Sequence, residues 1–309
     1  MNDRSEVKTF QNRIIFDVLR IDLNAPSQLD HHELAFLDVD AGTTNHLFAS
    51  QSSRPFALSY SPAIQRLSLT DYQENPQNGN YQPELLFLNI SDKTIAHLSS
   101  ARSSKEYFKN AKFNSDGTWL AVEMSLDGEH NPDIQIFEGI DIVGKKWVLG
   151  RIKGTILNPD RIGIYSPCLF PNGHHLVYLR NYEYEDALEV CYSDLTQPGE
   201  PEGGLEMVLG SFYKRRLTNN ADVVWNRLAA LALEPVSETA IFIRGHYRYE
   251  YEQVCAVPCS ANYRDDPLAA RSISELFNNI GGIIVAPDGE QIAFIGDGVL
   301  YVSSLDGGD

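Results

Sequence analysis

A short polar turn followed by an apolar strand recurs six times along the chain. The eight-residue units read TFQNRIIF, PAIQRLSL, SDGTWLAV, PNGHHLVY, PVSETAIF and PDGEQIAF, and they begin at Thr9, Pro62, Ser115, Pro171, Pro235 and Pro287. Their first residues lie 52 to 64 residues apart. A pattern that returns at this spacing is typical of proteins in which each repeat folds into one structural unit.

The turn in each unit follows from the backbone conformations that the turn residues favour. In Pro287-Asp288-Gly289, proline presets φ at the first corner, aspartate tolerates the next conformation, and glycine accepts the positive φ that returns to the strand. Two units depart from this pattern, because Ala63-Ile64 and Val236-Ser237 replace the Asp-Gly pair. We therefore expect those two turns to be longer or differently shaped.

Further apolar stretches supply the other strands of each repeat. A second strand with near-alternating apolar residues follows every unit, beginning at Glu33, Glu84, Asp133, Ala187, Tyr251 and Gly298. A third strand often follows, as in NHLFAS from Asn45, and a fourth precedes the next turn, as in YFKNAKF from Tyr107. We name the strands of a blade a, b, c and d. Strand a precedes the repeated turn and strand b follows it, so the strands called second and third above are c and d.

Four strands in each repeat cannot bury both faces of their own sheet, so neighbouring sheets must stack around an axis. The sequence therefore predicts an all-β, six-bladed β-propeller with four-stranded antiparallel blades, formed by a single domain over residues 1–309. The closing strands are poorly encoded, because no clear strand a precedes Thr9 and no clear strand d follows Leu305. Three alternatives stay open: Ser5 to Lys8 supply a closing strand, the chain is a fragment of a longer protein, or the ring is open.

The SDG, PNG and PDG turns, each followed by an apolar strand, resemble the TolB-like β-propeller repeat, which also occurs in the propellers of prolyl-oligopeptidase-type enzymes. The segment LDGEHNPDIQIF, from Leu126 to Phe137, is similar to that family's link between strands b and c. The resemblance extends from about Thr9 to Leu305. It implies a propeller fold and leaves the function open, since the family includes scaffolds, ligand-binding proteins and domains attached to enzymes.

Charge and composition narrow the range of partners and locations. The formal net charge of −17 at pH 7 disfavours nucleic acid and anionic membranes, which bind through clustered Lys and Arg. No apolar run is long enough for a transmembrane helix, and residues 1–8 lack the apolar core of a secretion signal, so we expect a cytoplasmic protein. The cysteines are too few for a disulfide framework and form no Cys-x-x-Cys pair, so we expect buried free thiols at Cys168, Cys191, Cys255 and Cys259.

The sequence lacks the common motifs for nucleophilic catalysis and for phosphate binding. It contains no Gly-x-Ser-x-Gly segment, and an α/β domain that could carry a catalytic serine does not fit beside the six repeats. Gly203-Gly204 and Gly281-Gly282 stand without the lysine and the following helix that cradle phosphate.

Metal ligands are also poorly supported. Histidines in the b-to-c links lack the spacing of converging ligands; they are His31, His32, His130 and His246. Asp127, Glu129 and Asp133 form the loop richest in carboxylates, which either holds calcium or forms turns at Asp127-Gly128 and Asn131-Pro132. We favour the turns, and the sequence predicts no metal site and no cofactor.

The most distinctive feature is a set of b-to-c links rich in tyrosine and arginine. These links run from Arg180 to Ala187 in the fourth repeat, from Arg244 to Glu252 in the fifth, and from Thr70 to Pro83 in the second. Tyrosine and arginine are enriched at protein contacts because they combine apolar area with polar groups. The candidate partner-binding residues are Tyr72, Tyr81, Arg180, Tyr182, Tyr184, Arg244, Tyr247, Tyr249 and Tyr251. The alternative is a hairpin that extends past the blade edge, with tyrosines pairing across its strands.

Two functions fit these observations. The first is a non-catalytic platform or scaffold whose b-to-c face binds a protein partner or an adjoining domain. The second is a hydrolase, a lyase, or a small-ligand or saccharide binder that uses the axial opening, with Asp127, Glu129, His130 and Asp133 as candidate residues. We favour the first, because the tyrosine-rich face is present and the catalytic motifs are missing.

Overall fold

The fold of the described residues is built from strands and turns. The computed structural model describes residues 13–20, 31–38, 41–50, 56–61, 63–74, 81–90, 92–98, 107–114, 116–125, 133–143, 146–156, 164–181, 188–198, 212–218, 223, 231–246, 250–261, 266, 269–286 and 288–305. Over these ranges no residue is helical. A search of the same residues for an apolar helix of membrane-spanning length found none.

The strands in these ranges form six antiparallel sheets that follow one another along the chain. The first sheet holds β1 (Arg13–Arg20), β2 (His31–Asp38) and β3 (Thr43–Ser50); the second holds β4 (Phe56–Ser61), β5 (Arg66–Glu74), β6 (Tyr81–Asn89) and β7 (Ile95–Leu98). The third holds β8 (Tyr107–Phe113), β9 (Trp119–Ser125), β10 (Asp133–Val143) and β11 (Lys146–Ile156). The fourth holds β12 (Ile164–Leu169), β13 (His175–Asn181), β14 (Leu188–Pro198) and β15 (Phe212–Arg216). The fifth holds β16 (Leu231–Glu234), β17 (Thr239–His246), β18 (Tyr251–Pro258) and β19 (Arg271–Ser272); the sixth holds β20 (Ile280–Val285), β21 (Gln291–Gly296) and β22 (Val299–Ser304).

The order of strands within each sheet is the order in which the sequence encodes them. Each sheet is a meander in which consecutive strands pair, and strand b begins four residues after the first residue of its repeat in all six sheets. Among the described residues, the first sheet lacks a strand a and the sixth lacks a strand d. These are the two strands that the sequence encodes poorly.

The a-to-b turns differ between repeats in the way that their residues predict. Gly289 has a φ of 78°, and the glycines at the same position in the third and fourth repeats also have positive φ. In the second and fifth repeats, where Ala63-Ile64 and Val236-Ser237 stand in place of Asp-Gly, the residue with positive φ lies one position further along the chain, at Gln65 (50°) and Glu238 (52°). The different shape expected for these two turns is confirmed.

The apolar core lies between consecutive sheets. In the second, third and fourth repeats the eighth residue (Leu69, Val122 or Tyr178) points towards the preceding sheet, and its neighbours in strand b point towards the next. Tyr178, for example, packs on Ile134 and Ile136 of the third sheet. Each of these sheets therefore covers one face of the sheet before it and is covered on its other face by the sheet after it.

The first strands of the sheets also lie side by side. β4, β8, β12, β16 and β20 contact one another in that order, and we call this set the strand-a row. Four of these five strands contain a register shift against strand b, the exception being β16. Bulges of this kind bend a strand and redirect its side chains.

Candidate functional site

Most tyrosines of the predicted partner-binding set have no described side chain. Tyr182, Tyr184, Tyr247 and Tyr249 lie outside the described residues. Tyr72 and Tyr81 lie on β5 and β6, where Tyr72 pairs with Pro83 and Tyr81 pairs with Glu74. The b-to-c link of the second repeat is therefore shorter than the sequence predicts, because the β5–β6 hairpin extends into it from both ends.

The two arginines of the set lie inside strands. β13 runs to Asn181 and buries Arg180, which is 4% exposed, so the fourth link begins two residues later than predicted. Arg244 occupies the equivalent position in β17, is half-buried, and carries its guanidinium 5.9 Å from the centre of the Phe242 ring. Both side chains thus belong to the packing between sheets.

Tyr251 is the member of the set that the structure places at the surface. It is the first residue of β18, is 42% exposed, and lies opposite His246 in the β17–β18 ladder. Two exposed aliphatic side chains, Leu276 and Val299, lie at the same ends of the fifth and sixth sheets. We call Tyr251, Leu276 and Val299 the strand-end patch.

Hydrogen bonds fix the backbone that carries the strand-end patch. Glu252 and Phe277 exchange two backbone hydrogen bonds, of 2.7 and 2.9 Å, which bring the start of β18 beside Leu276. Asp297 accepts hydrogen bonds from the backbone N–H groups of Asn278 (3.2 Å) and Asn279 (2.9 Å). Asp297 and Gly298, with φ of 48° and 80°, form the two-residue hairpin turn before Val299. The backbone that carries the strand-end patch is therefore held by hydrogen bonds and by a tight turn.

The residues considered for metal binding are not brought together in the described ranges. Asp127, Glu129 and His130 lie outside these ranges, and Asp133 begins β10. His31 and His32 begin β2, and His246 ends β17. No group of three or more metal-ligating side chains occurs among the described residues. An enzymatic site on the carboxylate loop stays a prediction.

Four buried glutamates resemble catalytic acids in their burial but hold backbone and side-chain partners in place. Glu123 accepts a hydrogen bond from the N–H of Ser166 (2.5 Å), and Glu252 accepts one from the N–H of Ile280 (2.5 Å). Each of these bonds crosses from one sheet to the next. Glu189 pairs with Arg216 (2.9 Å) and also accepts from Thr218, and Glu234 accepts from the turn that follows it. These carboxylates stabilise the fold.

The cysteines are buried free thiols, as the sequence predicts. Burial raises the pKa of the Cys255 thiol, and the nearby charge of Arg244 partly opposes this shift. Because the thiolate is the reactive form, Cys255 is poorly reactive near neutral pH.

A second cluster, which sequence reasoning missed, lies on the strand-a row. The ammonium of Lys112 on β8 donates hydrogen bonds to Sγ of Cys168 on β12 (3.3 Å) and to the carbonyl oxygen of Leu231 on β16 (3.1 Å). Sγ of Cys168 also lies 3.5 Å from that carbonyl oxygen. Lys112 thus reaches from the third sheet to the fifth. Its sequence context gives no signal, since it is one polar residue inside an ordinary strand.

A bulge in β12 positions Cys168 in this cluster. The register of β12 against β13 shifts between Tyr165 and Cys168, and Ser166 within the bulge has a φ of 52°. The hydrogen bond from the Ser166 N–H to Glu123 holds this conformation, which is uncommon for a residue with a Cβ. The third, fourth and fifth sheets therefore build the cluster together.

Comparison with solved structures shows a propeller-type fold. A chain of the nidogen/laminin complex matches with a TM-score of 0.58 and 10% identity over 89% of this chain and 86% of that chain. An oligogalacturonate lyase in complex with manganese matches with a TM-score of 0.53 and 10% identity over 96% of this chain and 87% of that chain. TolB from Acinetobacter baumannii matches with a TM-score of 0.38 and 10% identity, over 81% of this chain and 62% of that chain. Identities this low show the fold alone, and the TolB match is too weak to add to it.

No family model matches the sequence, and no curated protein matches it. Against three peptidase structures the chain spans between 27% and 44% of the other chain's length.

Proposed function

We propose that this chain is a six-bladed, TolB-like β-propeller that acts as a non-catalytic platform for a protein partner. Six consecutive sheets, with apolar side chains packed between neighbouring sheets, support the propeller arrangement. The contact from Lys112 to Leu231 supports it further, because alternate blades of a propeller approach each other only near the axis. The Asp-Gly turns support the assignment to the TolB-like repeat.

The strand-end patch is the observation that carries the binding function. Tyr251, Leu276 and Val299 expose aromatic and aliphatic area beside the hydrogen-bonded polar residues Asp297 and Asn278. An apolar centre with a polar rim is the usual composition of a protein-contact surface. Tyrosine contributes strongly at such surfaces because it loses little conformational entropy on binding.

The remaining tyrosines of the b-to-c links extend this proposal. Tyr247 and Tyr249 immediately precede Tyr251 in the chain, and Tyr182 and Tyr184 belong to the corresponding link of the neighbouring repeat. We place them in the same binding face. The free thiols at the buried cysteines support a reducing, cytoplasmic location for the complex.

The test compares a variant of the strand-end patch with a matched control. The patch variant combines Tyr251→Ala, Leu276→Ser and Val299→Ser. The control is Val236→Ser, which removes a 73% exposed valine from an a-to-b turn at the opposite strand ends. A partner retained by the wild-type chain is identified by mass spectrometry, purified, and titrated by calorimetry against all three proteins.

We expect the patch variant to raise the Kd roughly tenfold or more, because truncation of central aromatic contacts has effects of this size. The control should bind as the wild type does. Equal affinities for the patch variant and the wild type, or retention of no protein by the wild-type chain, would contradict the proposed function.

A further inference from the structure

The ammonium of Lys112 has no anionic partner among the described residues. Its hydrogen-bond acceptors are the thiol of Cys168 and the backbone carbonyl of Leu231, both of which are neutral. Lysine carries three N–H donors, so these two contacts leave one donor that no acceptor in the described part of the chain takes up. An ammonium that is partly removed from water gains from a counter-ion, because removing charge from water costs free energy that such a partner offsets.

The position of Lys112 leaves its ammonium accessible to a small molecule. The side chain is half-buried, so part of it faces solvent. Its two acceptors come from β12 and β16, so the group lies where the first strands of three consecutive sheets converge. In the proposed propeller this row of strands lines the axial opening.

The electrostatics of the chain favour a singly charged ligand over a more highly charged one. Lys112 offers one positive charge that no carboxylate among the described residues balances. The protein as a whole carries a formal charge of −17, which repels anions in proportion to their charge. A carboxylate, with one negative charge and two acceptor oxygens, suits a single ammonium with one free donor.

We propose that Lys112 forms a binding site for a small carboxylate at the convergence of β8, β12 and β16. The carboxylate accepts the free N–H of Lys112 and supplies the missing counter-charge, while Cys168 and Leu231 hold the ammonium in place. The proposal rests on the propeller arrangement of the strand-a row and is independent of partner binding at the strand-end patch.

The experiment uses acetate as the probe and the full-length protein. Saturation-transfer NMR measures the binding of acetate, of the neutral isostere acetamide, and of inorganic phosphate. Lys112→Met removes the charge and the donors at nearly constant length, and Lys112→Gln keeps a donor without the charge. Lys93→Met is the matched control, because Lys93 is an exposed lysine in the link after β6.

We expect saturable binding of acetate to the wild type and to Lys93→Met, with affinity reduced roughly tenfold or more in Lys112→Met and Lys112→Gln. Acetamide should not compete with acetate. Thermal unfolding of each variant, measured with and without acetate, separates loss of binding from loss of folding. Acetate should raise the Tm of the wild type and leave that of Lys112→Met unchanged.

Three outcomes would overturn the proposal. The first is equal acetate affinity in the wild type and Lys112→Met, which would make Lys112 only a tie between the third and fifth sheets. The second is the absence of saturable acetate binding to the wild type. The third is tighter binding of phosphate than of acetate, which would exclude a carboxylate site. None of these results depends on Tyr251, Leu276 or Val299, so failure here leaves the platform proposal to its own test.

Discussion

Ile243 and Ile295 occupy the same position in consecutive sheets, yet the first is fully buried and the second is 41% exposed. Their cross-strand partners differ in the same way, since Val254 is buried opposite Ile243 and Leu300 is exposed opposite Ile295. The difference arises because the sixth sheet covers the face that carries Ile243, whereas no described sheet follows the sixth.

The repeat thus determines where the strands form, whereas the next sheet along the chain determines which of their side chains are buried. The uncovered face of the sixth sheet carries Ile284, Ile295, Leu300 and Val302. In a closed ring the first sheet would cover this face. Closure of the ring, with the two chain ends in neighbouring blades, stays a prediction that the same comparison can test.

The largest expected effect is a difference between Ile243→Ala and Ile295→Ala. Ile243→Ala leaves a cavity in a packed interface and should lower the free energy of unfolding by about 2–5 kcal/mol. Ile295→Ala removes a half-exposed side chain and should cost no more than about 1 kcal/mol. Chemical denaturation of the two variants measures both values. Equal losses would break the comparison and indicate that the first sheet covers Ile295 in solution.

A smaller effect is expected at the seam between the fifth and sixth sheets, from Gly289→Ala compared with Gly298→Ala. Both glycines have a φ near 80°, so a Cβ strains the backbone equally, by about 1–2 kcal/mol. A Cβ at Gly298 meets open space, whereas one at Gly289 collides with the carboxylate of Glu234 and approaches Val236 to 3.1 Å. We therefore expect Gly289→Ala to cost about 1–3 kcal/mol more than Gly298→Ala in denaturant melts.

Glu234 provides the control for this second prediction. Its carboxylate is held by the N–H groups of Val236 (2.5 Å) and Ser237 (2.6 Å), so it cannot move without losing these bonds. In a Glu234→Ala background most of the additional cost of Gly289→Ala should disappear, which leaves only the 3.1 Å approach to Val236. An unchanged difference would mean that the collision with Glu234 does not limit this position.

The smallest effect on stability is expected from Leu300→Cys, which sharpens the comparison through thiol chemistry. The four natural thiols are buried, and burial raises the pKa of Cys255, so they should react slowly with a disulfide reagent at pH 8. The exposed Leu300 position should contribute one rapidly reacting thiol while the melting curve stays nearly unchanged. Slow reaction at this position would show that the face of the sixth sheet is covered.

Raising the pH and unfolding the protein provide further readings from the same sample. The reactivity of Cys255 should rise as the pH approaches its raised pKa, because the thiolate fraction grows. Denatured, unreduced wild-type protein should titrate as four thiols. Two or fewer would contradict the expectation of a reducing compartment.

Local sequence patterns predicted the strands and turns but not the contacts between repeats. The turn residues at Pro287-Asp288-Gly289 and the departures at Ala63-Ile64 and Val236-Ser237 act within a few residues, so their shapes follow from their own sequence. Arg180 was assigned to a surface link, and the structure buries it because β13 continues through it. Its burial depends on the neighbouring sheet, which the residues around Arg180 do not report.

The Lys112 cluster lies beyond sequence reasoning for a similar reason. Its members are 56 and 119 residues apart from Lys112, and they meet because bulges and sheet packing bring β8, β12 and β16 together. Lys112 alone is an ordinary strand residue. The strand-end patch was predicted from the sequence only in part, since Tyr251 was a candidate residue while Leu276 and Val299 were not.

The alternation of faces between consecutive sheets has a consequence for synthesis of the chain. Each sheet leaves the ribosome before the next repeat is made. The face that the next sheet covers is therefore exposed at first. At about 5–20 residues per second, a repeat of this length takes on the order of 3–10 s to be made. During that interval an exposed stripe of aliphatic side chains can bind a chaperone or a neighbouring nascent chain. The stripe around Ile295 and Leu300 is the last of these among the described sheets, and a newly made molecule exposes it until another sheet or another chain packs against it.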